Sequence, residues 1–324
     1  MKKMYSFLSQ VQWVRGGGCK MKFAVMGAGG VGAYFGGLLA QKGHEVTLIA
    51  RGEHLKALQE NGLTVHSVHG DFQLPLKAVA DPQEVGLVDV VLFTTKGFDI
   101  KKTTEQILPI LKEDSMVLNL QNGVGNEEIM AEVVGKERVL GGLTYIETTI
   151  EAPGIIAQKS AKRDIIFGEM DGQITERAKQ LLSVFQEAGI PTVLSGNIQK
   201  DIWKKFMFIS SFSAITTITE LPAGDVWACE KTDQLFCKLL KEVKHVARAN
   251  GIELSDEDVE VAYQIGHNFA PTTKSSMLVD FERRKPIEVD SLSGAVVKYG
   301  KKANVETPYH EMVYGVLTLK ASKF

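Results

Sequence analysis

Gly27-Ala28-Gly29-Gly30-Val31-Gly32 follows a short β-type run, Lys22–Met26, and opens a stretch of helical character, Val31–Gln41. In such a turn Gly27 permits the tight bend, Gly29 lets the backbone approach a diphosphate, and Gly32 lets helix and strand pack closely. The first N–H groups of the helix lack intrahelical partners and carry a partial positive charge, which favours phosphate. Strand, glycine turn and helix in this order predict a dinucleotide site formed by Gly27, Ala28, Gly29, Gly30, Val31 and Gly32.

The end of the next strand selects the dinucleotide. An acid there would accept a hydrogen bond from a ribose 2′-OH, but Thr47-Leu48-Ile49-Ala50-Arg51 ends in a cation. The planar fork of Arg51 suits a 2′-phosphate and stacks on adenine, so NADP is favoured. The alternative is a plain surface arginine, with Glu53 reaching the ribose.

Two further strand ends carry polar groups. Lys96 follows Val91-Leu92-Phe93-Thr94-Thr95, and Asn122 lies within Leu120-Gln121-Asn122-Gly123-Val124-Gly125. Ligands of open α/β sheets bind beyond these carboxyl ends, where a lysine meets anions and an asparagine holds a carboxamide or hydroxyl. A snorkelling lysine and a turn-forming Asn-Gly are the plainer readings. Further on, Asp201-Ile202-Trp203-Lys204-Lys205-Phe206-Met207 begins a helix apolar almost all round, of the kind that is buried. Its adjacent lysines diverge by about 100°, so at most one of them easily lies in a cleft while the other reaches solvent; the plainer reading is that both snorkel at the helix's first turns. A desolvated lysine has a lowered pKa and can donate a proton near neutral pH.

The elements around these residues divide the chain in two. Glu45–Ala50, Asp89–Thr95, Ser115–Leu120, Leu140–Ile150 and Ile155–Gly168 read as strands. Thr103–Leu111 and Glu127–Val134 read as helices, and Gly62–Leu76 as a hairpin insertion. This alternation predicts a Rossmann-type doubly wound α/β domain over residues 21–196. From Asn197, a candidate cap for a helix through Thr219, the pattern turns helical: Lys231–Asn250, Asp256–Gly266, Thr273–Arg284 and Val289–Ala303. Residues 197–324 are therefore expected to form an all-helical domain, with the cleft between the two. Residues 1–20, which include the triplet Gly16-Gly17-Gly18 shortly before Met21, read as an extension expected to be disordered.

Composition excludes several classes. The 324 residues are 44% hydrophobic, and 37 Lys+Arg against 39 Asp+Glu leave a net charge of −2. That excludes a disordered or multi-span membrane protein and gives no basic excess for nucleic acid. Three cysteines, Cys19, Cys229 and Cys237, form no disulfide framework or zinc pair, which fits reduced thiols in the cytoplasm. No apolar run near the start makes a signal segment. The seven histidines, His44, His54, His66, His69, His245, His267 and His310, form no H-E-x-x-H pattern, and no G-x-S-x-G elbow occurs. No metal is therefore expected.

From Met21 to the C-terminus the chain resembles the ketopantoate reductases. The resemblance rests on Gly27–Gly32, Arg51, Lys96, Leu120–Gly125, Trp203-Lys204-Lys205, Ser275-Ser276-Met277-Leu278-Val279-Asp280 and Ile287-Glu288, in that order. It implies NADPH-dependent reduction of 2-dehydropantoate to pantoate, on the route to pantothenate and coenzyme A. It implies Lys205 as the catalytic lysine, Asn122 at the junction of nicotinamide and substrate, and Lys96 near both. Ser276 would hold the substrate carboxylate, and Glu288 would contact substrate and help position the lysine, with the cofactor also in reach. A homodimer is expected on the same ground. Three positions depart from the usual pattern: Ile209, Ser213 and Thr273 stand where relatives often carry asparagine. Ser213 and Thr273 retain hydrogen-bonding capacity, and Ser213 is counted with the substrate residues; Ile209 has none. Two alternatives follow: a reductase of another 2-oxo acid, or an NADP-binding sensor without turnover.

Overall fold

The structure, a computed structural model, describes residues 20–97 and 99–324; apart from Lys20, the expected N-terminal extension lies outside them. Among the described residues ten strands form one sheet: β1 (Lys22–Met26), β2 (Glu45–Ile49), β3 (Leu63–Ser67), β4 (Phe72–Leu74), β5 (Lys77–Val79), β6 (Val88–Phe93), β7 (Leu111–Asn119), β8 (Val139–Ala152), β9 (Ile155–Glu169) and β10 (Thr192–Leu194). Across the sheet the order is β4-β3-β9-β8-β7-β6-β1-β2-β5, with β10 on β9. The parallel centre pairs β1 with β2 and β6, β6 with β7, and β7 with β8. Five helices belong to this half: α1 (Gly30–Gln41), α2 (Gly52–Asn61), α3 (Ile100–Glu105), α4 (Asn126–Val134) and α5 (Glu176–Glu187).

Because strand side chains alternate, each central strand feeds two cores. Phe23 and Val25 of β1 pack with Phe35 of α1 and Phe185 of α5, whereas Ala24 and Met26 pack with Ile100 of α3 and Met130 of α4. Helices thus cover both faces, which is the doubly wound arrangement.

The sheet is more mixed than a purely parallel reading suggests. β8 and β9 form a long antiparallel hairpin, and the β3–β4 hairpin joins the sheet through parallel pairing of β3 with β9. The helix expected over Thr103–Leu111 is instead α3 followed by a 3-10 turn at Leu108–Ile110, with Leu111 already in β7. Pro109 has no N–H to continue an α-helix, and its ring crowds the preceding turn.

From Ile198 onward the described residues form helices and turns: α6 (Ile198–Thr219), α7 (Ala223–Ala228), α8 (Glu230–Ala249), α9 (Asp256–His267), α10 (Ser276–Glu282), α11 (Ser293–Ala303) and α12 (Pro308–Ala321). Asn197 caps α6 by accepting from the Lys200 N–H at 3.2 Å. This helix runs through the middle of the domain, with Phe206, Met207 and Ile215 in a core shared with Leu239 and Val243 of α8 and Val259 of α9. Two helices are shorter than their apolar patterns suggest. α10 starts after Ser275, which caps it, and ends before Arg284, whose φ of 51° is left-handed. α11 starts at Ser293 because Glu288–Leu292 are used in a turn closed by Leu292 N–H to Glu288 O.

Candidate active site

The glycine loop leaves β1 and enters α1 through Gly29, its N-cap. Gly27 has φ +99°, and a Cβ there would lie 2.8 Å from Thr95, so glycine is needed for both reasons. A Cβ on Gly32 would lie 2.3 Å from Thr94 Oγ1. Gly29 differs: it has ordinary angles, and a Cβ on it would meet nothing within 4 Å. The first turn of α1 has no side-chain cap and no acidic residue. An open cradle over an uncapped helix N-terminus fits a dinucleotide diphosphate. Ala28, Gly30 and Val31 complete the loop, with Thr148 of β8 lying against Gly30.

Arg51 is exposed at the N-cap of α2, just past the end of β2. It lines a hollow of about 400 Å³ with Ala80, Asp81, Gln83, Glu105 and Gln106. The hollow lies beyond the carboxyl ends of the parallel strands, on the side where an adenosine moiety would extend.

The two halves meet through apolar packing, with Val124 and Leu143 sharing a core with Ile202 and Phe206 of α6, and through a small set of polar contacts. Lys205 of α6 donates from Nζ to Asn122 Oδ1 at 2.7 Å, in the loop after β7. Glu288 Oε1 accepts the Gly97 N–H at 3.1 Å, in the loop after β6. Beside it Lys96 pairs with Asp280 of α10. Ser276, exposed at the start of α10, lies one turn before Asp280, and Ser213 is buried two turns after Lys205. The diverging lysines are resolved by their partners: Lys204 pairs with Asp258 of α9 at 2.8 Å, while Lys205 faces the cleft.

Burial lowers the Lys205 pKa from 10.5 to about 8, and the Glu288 carboxylate opposes this by favouring the charged form. The ammonium is therefore present at neutral pH yet readily gives up its proton, as a general acid requires.

Several residues of this region were not singled out in the sequence. Gln121 cross-links the two strand-end loops, donating from Nε2 to Thr95 O at 2.8 Å. Tyr145 of β8 presents its ring 5.9 Å from the Lys205 ammonium, a cation–π arrangement. Glu127 is buried behind the Asn122 loop, accepting from Asn119 Nδ2 at 2.7 Å, and burial raises its pKa to about 7. His54, set aside above for lack of a metal or catalytic pattern, touches the glycine loop at Ala28. Only the Gln121 position, adjoining Asn122, carried a local signal; Tyr145 and His54 depend on contacts between distant segments, and Glu127 on a partner in the preceding strand.

Comparison with known proteins agrees with this geometry. The family model described as ketopantoate reductase PanE/ApbA matches residues 23–172, and its C-terminal counterpart matches residues 197–321. The chain is 33% identical over 299 residues to the uncharacterized oxidoreductase YkpB of Bacillus subtilis, covering 92% of this chain and 98% of that protein. It is 32% identical over 298 residues to the 2-dehydropantoate 2-reductase of Pyrococcus abyssi, covering 92% and 97%. Among solved structures, a PanE/ApbA family ketopantoate reductase from Ralstonia eutropha superposes with TM-score 0.87 at 31% identity, covering 94% of this chain and 99% of that one. A D-mandelate dehydrogenase with NADH and anilino(oxo)acetate also reaches 0.87, at 26% identity and the same coverage. With a doubly wound domain, a helical domain and a lysine held between them, the chain belongs to the ketopantoate reductase family of nicotinamide-dependent oxidoreductases.

Proposed function

We propose that this protein reduces 2-dehydropantoate to pantoate with NADPH, using Lys205 as general acid. The observation that carries the reading is the Lys205–Asn122 contact, which holds a desolvated ammonium at the carboxyl ends of the strands. Gly27–Gly32 would hold the diphosphate and Arg51 the 2′-phosphate; when bound, the cofactor supplies the hydride. As the substrate carbonyl is reduced, charge grows on its oxygen, where the Lys205 ammonium stabilises it and delivers a proton from Nζ. Asn122 Oδ1 orients that Nζ, and the Glu288 carboxylate, held by the Gly97 N–H, favours the protonated amine. Lys96, Ser276 and Ser213 complete the substrate side, a cation and two hydroxyls suited to a 2-oxo acid.

The names of several relatives support the substrate, and Arg51 supports NADPH over NADH. The reading includes a cytoplasmic homodimer acting on a small 2-oxo acid, with neither nucleic acid nor membrane as partner. Cysteine usage supports the compartment, and family resemblance supports the dimer.

A second reading is favoured by Ile209 and Thr273. With Ile209 one turn after Lys205, the pocket is less polar than in the usual family pattern. That suits a more apolar 2-oxo acid, and the similarity to a D-mandelate dehydrogenase structure points the same way.

The test is NADPH oxidation with 2-dehydropantoate, compared with NADH and with branched and aryl 2-oxo acids. The first reading requires the highest kcat/KM for 2-dehydropantoate with NADPH. A preference for an aryl or other 2-oxo acid would select the second, and binding without turnover on any of them would overturn both.

A further inference from the structure

Each carbonyl in the glycine loop from Gly27 to Gly29 is occupied by a protein donor. Gly27 O accepts from Thr94 Oγ1 at 2.8 Å, and Gly29 O accepts from the Ala33 N–H at 2.9 Å. Ala28 O accepts from His54 Nε2 at 2.8 Å. The other ring nitrogen, Nδ1, accepts from the Gly154 N–H at 3.0 Å, at the turn of the β8–β9 hairpin. Since Gly154 can only donate, Nδ1 carries the lone pair and Nε2 the hydrogen, which fixes one neutral tautomer. Burial also favours the neutral ring.

The Ala28 carbonyl and the Gly29 N–H belong to one peptide unit, and that N–H is bonded to Gly27 O at 2.8 Å. His54 and Gly27 therefore hold the unit at both ends. Without the histidine the carbonyl would lose its partner. Glycine on one side of the unit offers little steric resistance to a peptide flip. A flipped carbonyl would put a negative dipole end towards the anion cradle at the start of α1. The same ring ties in the hairpin whose Thr148 lies against Gly30, where an added Cβ would stand 2.6 Å from Oγ1.

We propose that His54 is a positioning residue for dinucleotide binding: it keeps the Ala28 carbonyl turned out of the cradle, so that the uncapped N–H groups at the start of α1 face the diphosphate, and it braces the β8–β9 hairpin against the loop. The proposal rests on the reading of Gly27–Gly32 as the diphosphate site. It assigns His54 no contact with the reacting atoms.

The experiment titrates NADPH, and separately NADH, into the full chain and into His54→Ala and His54→Gln, following nucleotide fluorescence, with kcat and KM measured alongside. Glutamine can still donate to Ala28 O but restores no ring acceptor for Gly154. The expected result is a Kd and a nucleotide KM raised about tenfold by alanine, the scale of one lost hydrogen bond to a buried carbonyl. The drop in kcat should stay below about threefold, and glutamine should recover most of the affinity. Unfolding of the unliganded variants separates binding from folding. Unchanged affinity in His54→Ala overturns the proposal. So does an equal loss in both variants that tracks their melting temperatures, because a merely structural role predicts no rescue by the donor. If the parent chain binds neither nucleotide, the diphosphate reading falls and the proposal with it; parent binding with an indifferent alanine variant rejects His54 alone.

Discussion

Lys205 and Asn122 are 83 positions apart and meet at 2.7 Å, the amine on a helix of the C-terminal half and the amide oxygen on a strand-end loop of the N-terminal half. The contact makes the setting of this ammonium, the general acid of the proposed reaction, depend on both domains together. Asn122 accepts without taking the proton, so the ammonium remains able to serve a developing alkoxide.

Removing the amine should separate turnover from binding. Lys205→Ala is expected to lower kcat by about 10²–10⁴-fold, the usual range for a lost proton donor, with NADPH affinity within about threefold of the parent. In the parent, the reduction rate should fall as pH rises through about 8, where the folded-state amine loses its proton. Steady-state pH profiles and nucleotide titration check both expectations.

The same lysine weakens the fold. Its folded-state pKa of about 8 lies below the unfolded value of 10.5, so the unfolded chain holds this proton more tightly. Stability should rise as pH increases from about 8 to 10.5. Lys205→Met should therefore stabilise the protein at pH 7 by roughly 1–3 kcal/mol, an advantage that shrinks across that window. Denaturant unfolding at pH 7 and pH 10 would reveal it.

Gly29 and Gly32 should respond differently to the same methyl group. In Gly29→Ala the Cβ enters open space, so the fold should survive while dinucleotide affinity falls by tenfold or more, because the methyl occupies the cradle. In Gly32→Ala the Cβ meets Thr94 and the Gly27 carbonyl, so melting temperature should fall before binding is considered. Calorimetry and nucleotide titration on the two variants distinguish the cases.

Arg51 sets the expected cofactor preference. Arg51→Ala should raise the KM for NADPH about 10–100-fold, the scale of charge-assisted bonds to a phosphate, and that for NADH much less, through lost stacking on adenine alone. An equal effect on both nucleotides would remove the 2′-phosphate assignment.

Glu127 provides a pH signature of its own. Its folded-state pKa of about 7 lies above the ordinary glutamate value of 4.5, so its favourable contribution is complete below about 4.5 and is lost as pH rises through 7. Glu127→Gln keeps an acceptor for Asn119 Nδ2 and removes the titration. It should be more stable to unfolding than the parent at pH 8, by roughly 1–3 kcal/mol, with the difference fading towards pH 5.

What could be read from the sequence was local. The glycine turn, the basic tip of β2, the Asn197 cap and the divergence of Lys204 from Lys205 depend on neighbours within a few positions. Lys96, Asn122, Ser276 and Glu288 have no common local signature, and the family resemblance was needed to bring them together. Four helices, α2, α5, α7 and α12, lie outside the elements expected from the sequence. In α2 Leu58 alone is buried, which leaves little apolar period, whereas Ala178, Leu181, Val184 and Phe185 give α5 a helical period that the sequence does carry. The role of His54 required contacts 26 and 100 positions away, which no window contains. Likewise β8 and β9 looked like two more strands, because an antiparallel return is invisible to a period-2 pattern.

The seating of β3 on β9 has a consequence during synthesis. Ser67 donates to Gln158 at 2.7 Å across 91 positions, and β3 lies between β4 and β9 in the finished sheet. At about 5–20 residues per second, the ribosome takes roughly 5–20 s to supply that partner strand. Through that interval the nascent β3–β4 hairpin leaves one edge of β3 without its partner strand. Substitutions that make this hairpin stickier should therefore reduce the yield of soluble protein from cells more than they alter the melting temperature of the chains that finish folding.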